Sequence, residues 1–137
     1  MKKLPIFYLL FSTMFMCSVY AESNSIFEKL TGKWDLVSAE NSCRGSKTVH
    51  VVSFSHDKRD AFIDFINIPT SSKVSYRVIY NTNSSVTMFL NGENRKIKRT
   101  GDLYIWVMEA VDVDRYAWRL YAHDLRDPEP TTSLKCN

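Results

Sequence analysis

The sequence has few of the groups that catalysis or metal binding requires. It contains only three histidines, His50, His56 and His123, and their spacing does not fit a zinc site. It has no nucleophile elbow, and the Asp-Val-Asp segment at 112–114 lacks the later ligands of a calcium loop. These absences predict a protein that is not an enzyme and that binds no metal or cofactor.

The sequence also lacks a strong net charge once its first residues are set aside. Lys2 and Lys3 precede an apolar run that ends at Ala21, an order typical of a secretory signal peptide. A membrane anchor is the alternative, since the run is nearly long enough to span a thin bilayer. Cleavage after Ala21 leaves 16 basic and 15 acidic residues, a net charge of +1. We therefore expect residues 1–21 to be a signal peptide, and we expect no nucleic-acid partner.

Few cysteines are left after such a cleavage. Only Cys43 and Cys136 remain, one early in the chain and one next to its last residue. Two cysteines in an exported chain predict a disulfide, with two free thiols as the alternative. In the chain-entropy model, closing so long a loop stabilises the folded state by up to about 4.7 kcal/mol. We expect the mature protein to be periplasmic or secreted.

The rest of the chain, residues 22–137, has the pattern of one small β domain. A capping-box spacing from Ser25 to Glu28 predicts a short helix, which Gly32 ends. After Gly32 the apolar residues recur with period two. The strands are predicted at 34–39, 48–54, 61–66, 73–80, 86–90, 95–99, 103–111 and 116–122. Eight short antiparallel strands close into a barrel or fold into a sandwich, because an open sheet would expose its edges.

Two short motifs favour the barrel. The Gly-Lys-Trp segment at 32–34 resembles the signature that opens the lipocalin barrel, and the Arg-Asp-Pro segment at 126–128 resembles the motif that closes it. The resemblance implies an all-β, eight-stranded antiparallel up-and-down barrel with a short N-terminal helix and an extended C-terminal tail. It also implies that Gly32, Trp34 and Arg126 form the barrel base, where a guanidinium packs on the indole. Arg119 is the alternative partner of Trp34.

An up-and-down barrel gives the tail a path to Cys43. A dozen extended residues after strand eight climb the barrel wall, at about 3.3 Å each, to the loop that follows strand one. The predicted disulfide then joins Cys136 to that loop.

The functional prediction concerns the barrel interior. An eight-stranded barrel is either filled by side chains or holds one small ligand. An aromatic-lined cup favours a small hydrophobic or amphipathic molecule, oriented by tyrosine hydroxyls. The candidate ligand-binding residues are Tyr76, Tyr80, Met88, Tyr104, Trp106, Tyr116 and Trp118. The alternative is that these large side chains simply fill the core.

A second functional prediction concerns the outer surface. The strand from 103 to 111 is apolar on both faces, so its outer residues Leu103, Ile105 and Val107 need a cover. Either the N-terminal helix or a protein partner or second copy of the chain supplies it. In this alternative the protein has a filled barrel and acts through its surface, as an inhibitor or a partner-binding protein.

Overall fold

The structure is a computed structural model of the chain, and it describes residues 25–38, 43–70, 72–98, 100–121 and 130–137. The predicted signal peptide, residues 1–21, and Arg126 lie outside these residues. The elements in chain order are α1 (Ile26–Leu30), β1 (Gly32–Leu36), β2 (His50–Phe54), β3 (Asp60–Phe65), β4 (Ser72–Asn81), β5 (Ser85–Leu90), β6 (Ile105–Asp112), β7 (Arg115–Tyr121) and β8 (Thr131–Lys135).

The short helix α1 forms as the sequence predicts. Ser25 is its N-cap, and Ser25 and Glu28 exchange the two side-chain hydrogen bonds of a capping box. The chain then reverses into β1 at Gly32, whose φ of +147° disfavours any residue with a side chain. Ile26 and Leu30 are buried in the core, so packing against the barrel stabilises a helix that is too short to persist alone.

The predicted fold class is confirmed. Each strand is antiparallel to the next along the chain, and β8 also pairs with β1, so the sheet is a closed eight-stranded barrel. Closure gives every strand two hydrogen-bonded neighbours and leaves no edge for another chain to extend.

Two of the predicted segments are corrected. Residues 95–99 were the sixth predicted strand, but the strand-type pairing of the described residues 95–98 is an isolated bridge between Lys96 and Leu103. This stretch is mostly polar, so a strand there would gain little from burial. The C-terminal tail is extended as predicted, but its residues Thr131–Lys135 form the eighth strand and do not climb the outside of a finished barrel. Pairing on both sides satisfies the edges that β1 and β7 would otherwise expose.

The two ends of the barrel differ. At one end lie α1 and the short turns that join β2 to β3, β4 to β5 and β6 to β7. Two contacts fix the helix there: Lys29 Nζ donates to the carbonyl of Asn83 over 3.3 Å, and the Lys58 ammonium lies 5.9 Å from the Phe27 ring. At the opposite end, which we call the open end, β1, β3, β5 and β7 finish.

Most of the interior is filled by side chains. Trp34 packs edge-to-face on Tyr116, with ring centroids 4.9 Å apart. Met88 and Met108 are completely buried, as are Val52 and Val86. Unbranched methionines fill irregular space between large rings, and a cleft that remains unfilled lies toward the open end.

Candidate functional site

A small cleft lies inside the barrel at its open end. Its volume is about 140 Å³. Its lining residues are Leu36, His50, Ile63, Phe65, Tyr76, Tyr116, Trp118, Thr131 and Ser133. Apolar and aromatic walls with a few convergent polar groups are the usual composition of a ligand site.

Strand register brings the polar groups of the cleft together. Tyr116 of β7 lies directly opposite Ser133 of β8, and Ser133 lies opposite Leu36 of β1. One step nearer the open end, Trp118 lies opposite Thr131. Residues directly opposite in antiparallel strands share one face, so all of these side chains point inward.

His50 is held from both sides of its ring. Its Nδ1 lies 2.7 Å from the carbonyl oxygen of Thr48, and its Nε2 is hydrogen-bonded to the Tyr116 hydroxyl. A carbonyl only accepts, so Nδ1 carries the proton and donates. Burial lowers the pKa of His50, which outweighs the opposing effects of the Thr48 carbonyl and the Asp35 carboxylate. The imidazole is therefore neutral near neutral pH, and Nε2 accepts a hydrogen bond from the Tyr116 hydroxyl.

Ser133 has a buried polar atom without a partner. Its residue is 1% exposed, and its Oγ has no hydrogen-bond partner among the described residues. Burial raises the pKa of the Tyr116 hydroxyl, and Ser133 lies close enough to oppose that rise although the two hydroxyls do not meet hydrogen-bond geometry. A buried hydroxyl without a partner costs free energy, and a ligand hydroxyl that reached Ser133 Oγ from the cleft would remove that cost.

Three of the seven predicted ligand-binding residues line the cleft: Tyr76, Tyr116 and Trp118. Tyr76 packs edge-to-face on Trp118 over 5.4 Å, and burial raises the pKa of its hydroxyl to about 12. Met88 and Trp106 belong to the packed core, where Trp106 stacks on Trp118.

The other two predicted ligand-binding residues, Tyr80 and Tyr104, do not line the cleft. Tyr80 is 63% exposed, because the β4–β5 register shifts between Val78 and Tyr80 and turns its side chain outward. Tyr104 lies outside the strands, and the Arg95 guanidinium sits 5.2 Å from its ring centre. Arg95 also pairs with Glu93 over 2.6 Å. Its side-chain hydrogen bonds are the largest cause that lowers the pKa of the Glu93 carboxyl to about 2.

Sequence reasoning missed His50 and Ser133 as site residues. For His50 a signal exists, since His50, Val52 and Phe54 alternate on one face of a β-branched strand. Ser133 lies in a polar segment with no apolar alternation to mark its inward face, so the sequence holds no comparable signal for it.

At the barrel base, a lysine packs on the Trp34 ring. Trp34 is buried, and its Nε1 donates to the Leu30 carbonyl over 3.0 Å. The cation on its ring is the Lys135 ammonium, 5.5 Å from the centre. Arg119, the alternative partner, instead pairs with Glu109 over 2.7 Å on the outer face. Arg126 is not among the described residues, so its predicted contact stays a prediction.

The predicted disulfide between Cys43 and Cys136 is confirmed, with Cα atoms 5.5 Å apart. Its position differs from the prediction, because Cys136 lies beside Lys33, toward the α1 end, and Cys43 lies beside Asp35 on the outside of β1. The disulfide is compatible with an oxidising, exported location.

The Asp35 carboxylate holds residues 43–48 against β1. Burial opposes its ionisation, but hydrogen bonds from Thr48, Cys43, Leu36 and Ser46 outweigh burial and lower the pKa of the carboxyl. Asp35 is completely buried and fully ionised at neutral pH, with its oxygens satisfied by the loop it holds.

A second concavity lies outside the barrel. It is a surface groove of about 480 Å³ between α1 and the turns at 83–84 and 111–113. Val111 and Val113 on its edge are largely exposed. The groove adjoins the end of β6, whereas Ile105 begins β6 and Leu103 precedes it. Five extended residues separate Ile105 from the groove, a distance of about 16 Å. The helix therefore does not cover those two predicted surface residues.

Neither a metal-ligand cluster nor a membrane-spanning helix occurs among the described residues. No group of three or more His, Cys, Asp or Glu side chains in this part of the chain is arranged to hold a metal ion. No helix there is both long and apolar enough to cross a membrane.

In comparisons with known proteins, no family model, no curated protein and no solved structure matches this chain.

Proposed function

We propose that the protein is an exported, lipocalin-like binding protein that holds a small hydrophobic or amphipathic molecule at the open end of its barrel. The observation that carries this proposal is the cleft, in which apolar walls converge with the partnerless Ser133 Oγ and the Tyr116 hydroxyl. The helix followed by Gly32 and Trp34 supports the lipocalin-like assignment, and the disulfide supports export.

Native mass spectrometry of protein purified from its own source tests this proposal. We expect a co-purifying small molecule that is lost on denaturation. Thr131→Phe places a ring at the exposed rim of the cleft and should abolish the bound mass. Thr132→Phe, one residue along β8 and outside the lining, is the matched control and should keep it. An unliganded mass from the unaltered protein contradicts the carrier function.

A second candidate function is favoured by the filled interior. Because side chains from most strands pack together in the interior, the protein would then act through its surface on a protein partner or a second copy of itself. Leu103 is 37% exposed at the start of the apolar outer face that includes Ile105 and Val107. Light scattering should then give a mass above that of the monomer, and the Ile105→Lys variant should have the mass of a single chain. A monomeric mass in both proteins, with no partner bound, contradicts this candidate.

A further inference from the structure

We infer that the cleft is built for a neutral molecule about the size of one ring that carries a hydroxyl group, a phenol or a small alcohol. This inference rests on the proposed function and specifies the ligand class of the same site. It is carried by the hydrogen-bond partners of His50, Tyr116 and Ser133.

The proton positions in the cleft follow from one carbonyl. The Thr48 oxygen accepts from His50 Nδ1, and the buried, neutral ring has no second proton. Nε2 therefore accepts, and the Tyr116 hydroxyl must donate its only proton to it. The Tyr116 oxygen keeps unshared electron pairs but has no proton left to give.

Ser133 supplies the complementary capacity. Its hydroxyl both donates and accepts, has no partner among the described residues, and lies opposite Tyr116 across the β7–β8 ladder. A ligand hydroxyl that donates to the Tyr116 oxygen and accepts from Ser133 Oγ satisfies both atoms. A ligand that only accepts cannot bond to Tyr116, and a hydrocarbon leaves both atoms without a partner.

The cleft disfavours a charged ligand. None of its described lining residues is ionised at neutral pH, because His50 is neutral and the pKa values of Tyr76 and Tyr116 are raised. The charged groups that act on the Tyr76 hydroxyl from the 91–104 connection are Glu93 and Arg95, and these pair with each other. A carboxylate entering the cleft would lose its hydration without a counter-charge.

The volume limits the ligand to about one ring. A cavity of roughly 150 Å³ lined by apolar side chains is large enough for benzene, and the cleft measures about 140 Å³. The flat walls supplied by Phe65, Tyr76 and Trp118 suit a planar or compact ring.

Three probes of similar size separate the contributions of the ligand's hydroxyl group, ring and charge to binding. These probes are phenol, toluene and benzoate. Their dissociation constants can be measured by NMR titration of the full, disulfide-bonded chain, in which Trp118 provides an indole signal within the cleft. Two hydrogen bonds of about 1 kcal/mol each correspond to phenol binding roughly tenfold or more tightly than toluene. We expect no detectable binding of benzoate.

Ser133→Ala tests the atom that carries the inference. We expect phenol to bind about fivefold more weakly and toluene to bind unchanged, as for loss of one hydrogen bond. Ser53→Ala, opposite Phe62 on the outer face, is the matched control and should change neither constant. Tyr116→Phe should likewise weaken phenol alone.

The outcomes separate the two proposals. Toluene or benzoate binding as tightly as phenol overturns the hydroxyl-bearing ligand class but leaves a binding cleft. Equal losses for phenol and toluene in Ser133→Ala also overturn it, because they indicate a changed shape. Absence of binding by all three probes overturns the one-ring cleft, whereas only an unliganded native mass overturns the proposed function.

Discussion

At the residue scale, the buried polar groups of the barrel are held in one protonation state by the atoms around them. Asp35 is ionised because four hydrogen bonds outweigh its burial, whereas His50 is neutral because burial outweighs its hydrogen bond to Thr48. The difference follows from the partners. Two N–H groups and two hydroxyls stabilise the Asp35 carboxylate, but the group beside His50 Nε2 is one neutral hydroxyl, which does not offset the burial of a positive charge.

The depressed pKa of His50 predicts a stability that falls in acid. Below the unfolded value of 6.5 the unfolded chain takes up a proton that the folded chain excludes. The free energy of unfolding should therefore decrease as the pH falls from 6.5 toward the folded pKa, by at most about 1.4 kcal/mol per pH unit. Urea unfolding between pH 5 and 8 measures this slope.

His50→Gln is the control for that slope, since glutamine does not titrate. The variant should show a shallower dependence in the same pH range, whatever its absolute stability. If the slope is as steep in the variant as in the unaltered protein, groups other than His50 cause it.

A second residue-scale prediction concerns Trp34. Its ring is buried between Tyr116 and Lys135, and its Nε1 bonds to α1. Trp34→Ala should lower the free energy of unfolding by about 3–5 kcal/mol through cavity formation and loss of that bond. Trp34→Phe should cost less, because a ring still fills most of the space. A loss well under 1 kcal/mol on urea unfolding of Trp34→Ala would contradict a buried base.

At the element scale, β8 is a strand that the local sequence pattern does not predict. The capping box, the first five strands and the disulfide were predictable because each depends on local spacing or on a cysteine count. In β8 the apolar residue, Leu134, lies on the outer face opposite Asp35, and the inward residue is Ser133. Its alternation is the reverse of an ordinary barrel strand, so only the closing of the sheet reveals it. The same holds for Tyr80, which a register shift turns outward.

The disulfide is expected to hold β8 in place. It joins residues 93 positions apart and ends the strand that completes the barrel. Replacing both Cys43 and Cys136 by serine should lower the free energy of unfolding, by up to about 4.7 kcal/mol in the chain-entropy model. Urea unfolding measures the loss, and amide exchange should show β8 losing protection first.

A reducing agent provides the matched comparison for this prediction. It should destabilise the unaltered protein to about the level of the double variant and leave the double variant unchanged. Equal stability of the oxidised and serine proteins would show that hydrogen bonds to β1 and β7 hold β8 without the disulfide.

At the scale of the whole molecule, one packed interior joins all eight strands and α1. Seven of the eight strands and their antiparallel order followed from the sequence, because period-two segments alternate with turns, whereas β8 did not. Which end of the barrel is filled depends on long-range packing, in which α1 and the rings around Trp34 occupy one end and leave the cleft at the other. The position of the candidate site was for that reason not predictable from local pattern alone.

This single closed core predicts one cooperative unfolding transition. No strand is an edge, and the three tryptophans sit on β1, β6 and β7, so their fluorescence samples distant parts of the same interior. With the disulfide intact, the urea curves from tryptophan fluorescence and from far-UV circular dichroism should superimpose, as for small two-state domains. Two separated transitions would instead mean that part of the sheet unfolds independently. Because the cleft needs both β1 and β8 in register, ligand binding should then be lost at whichever transition opens the β1–β8 seam.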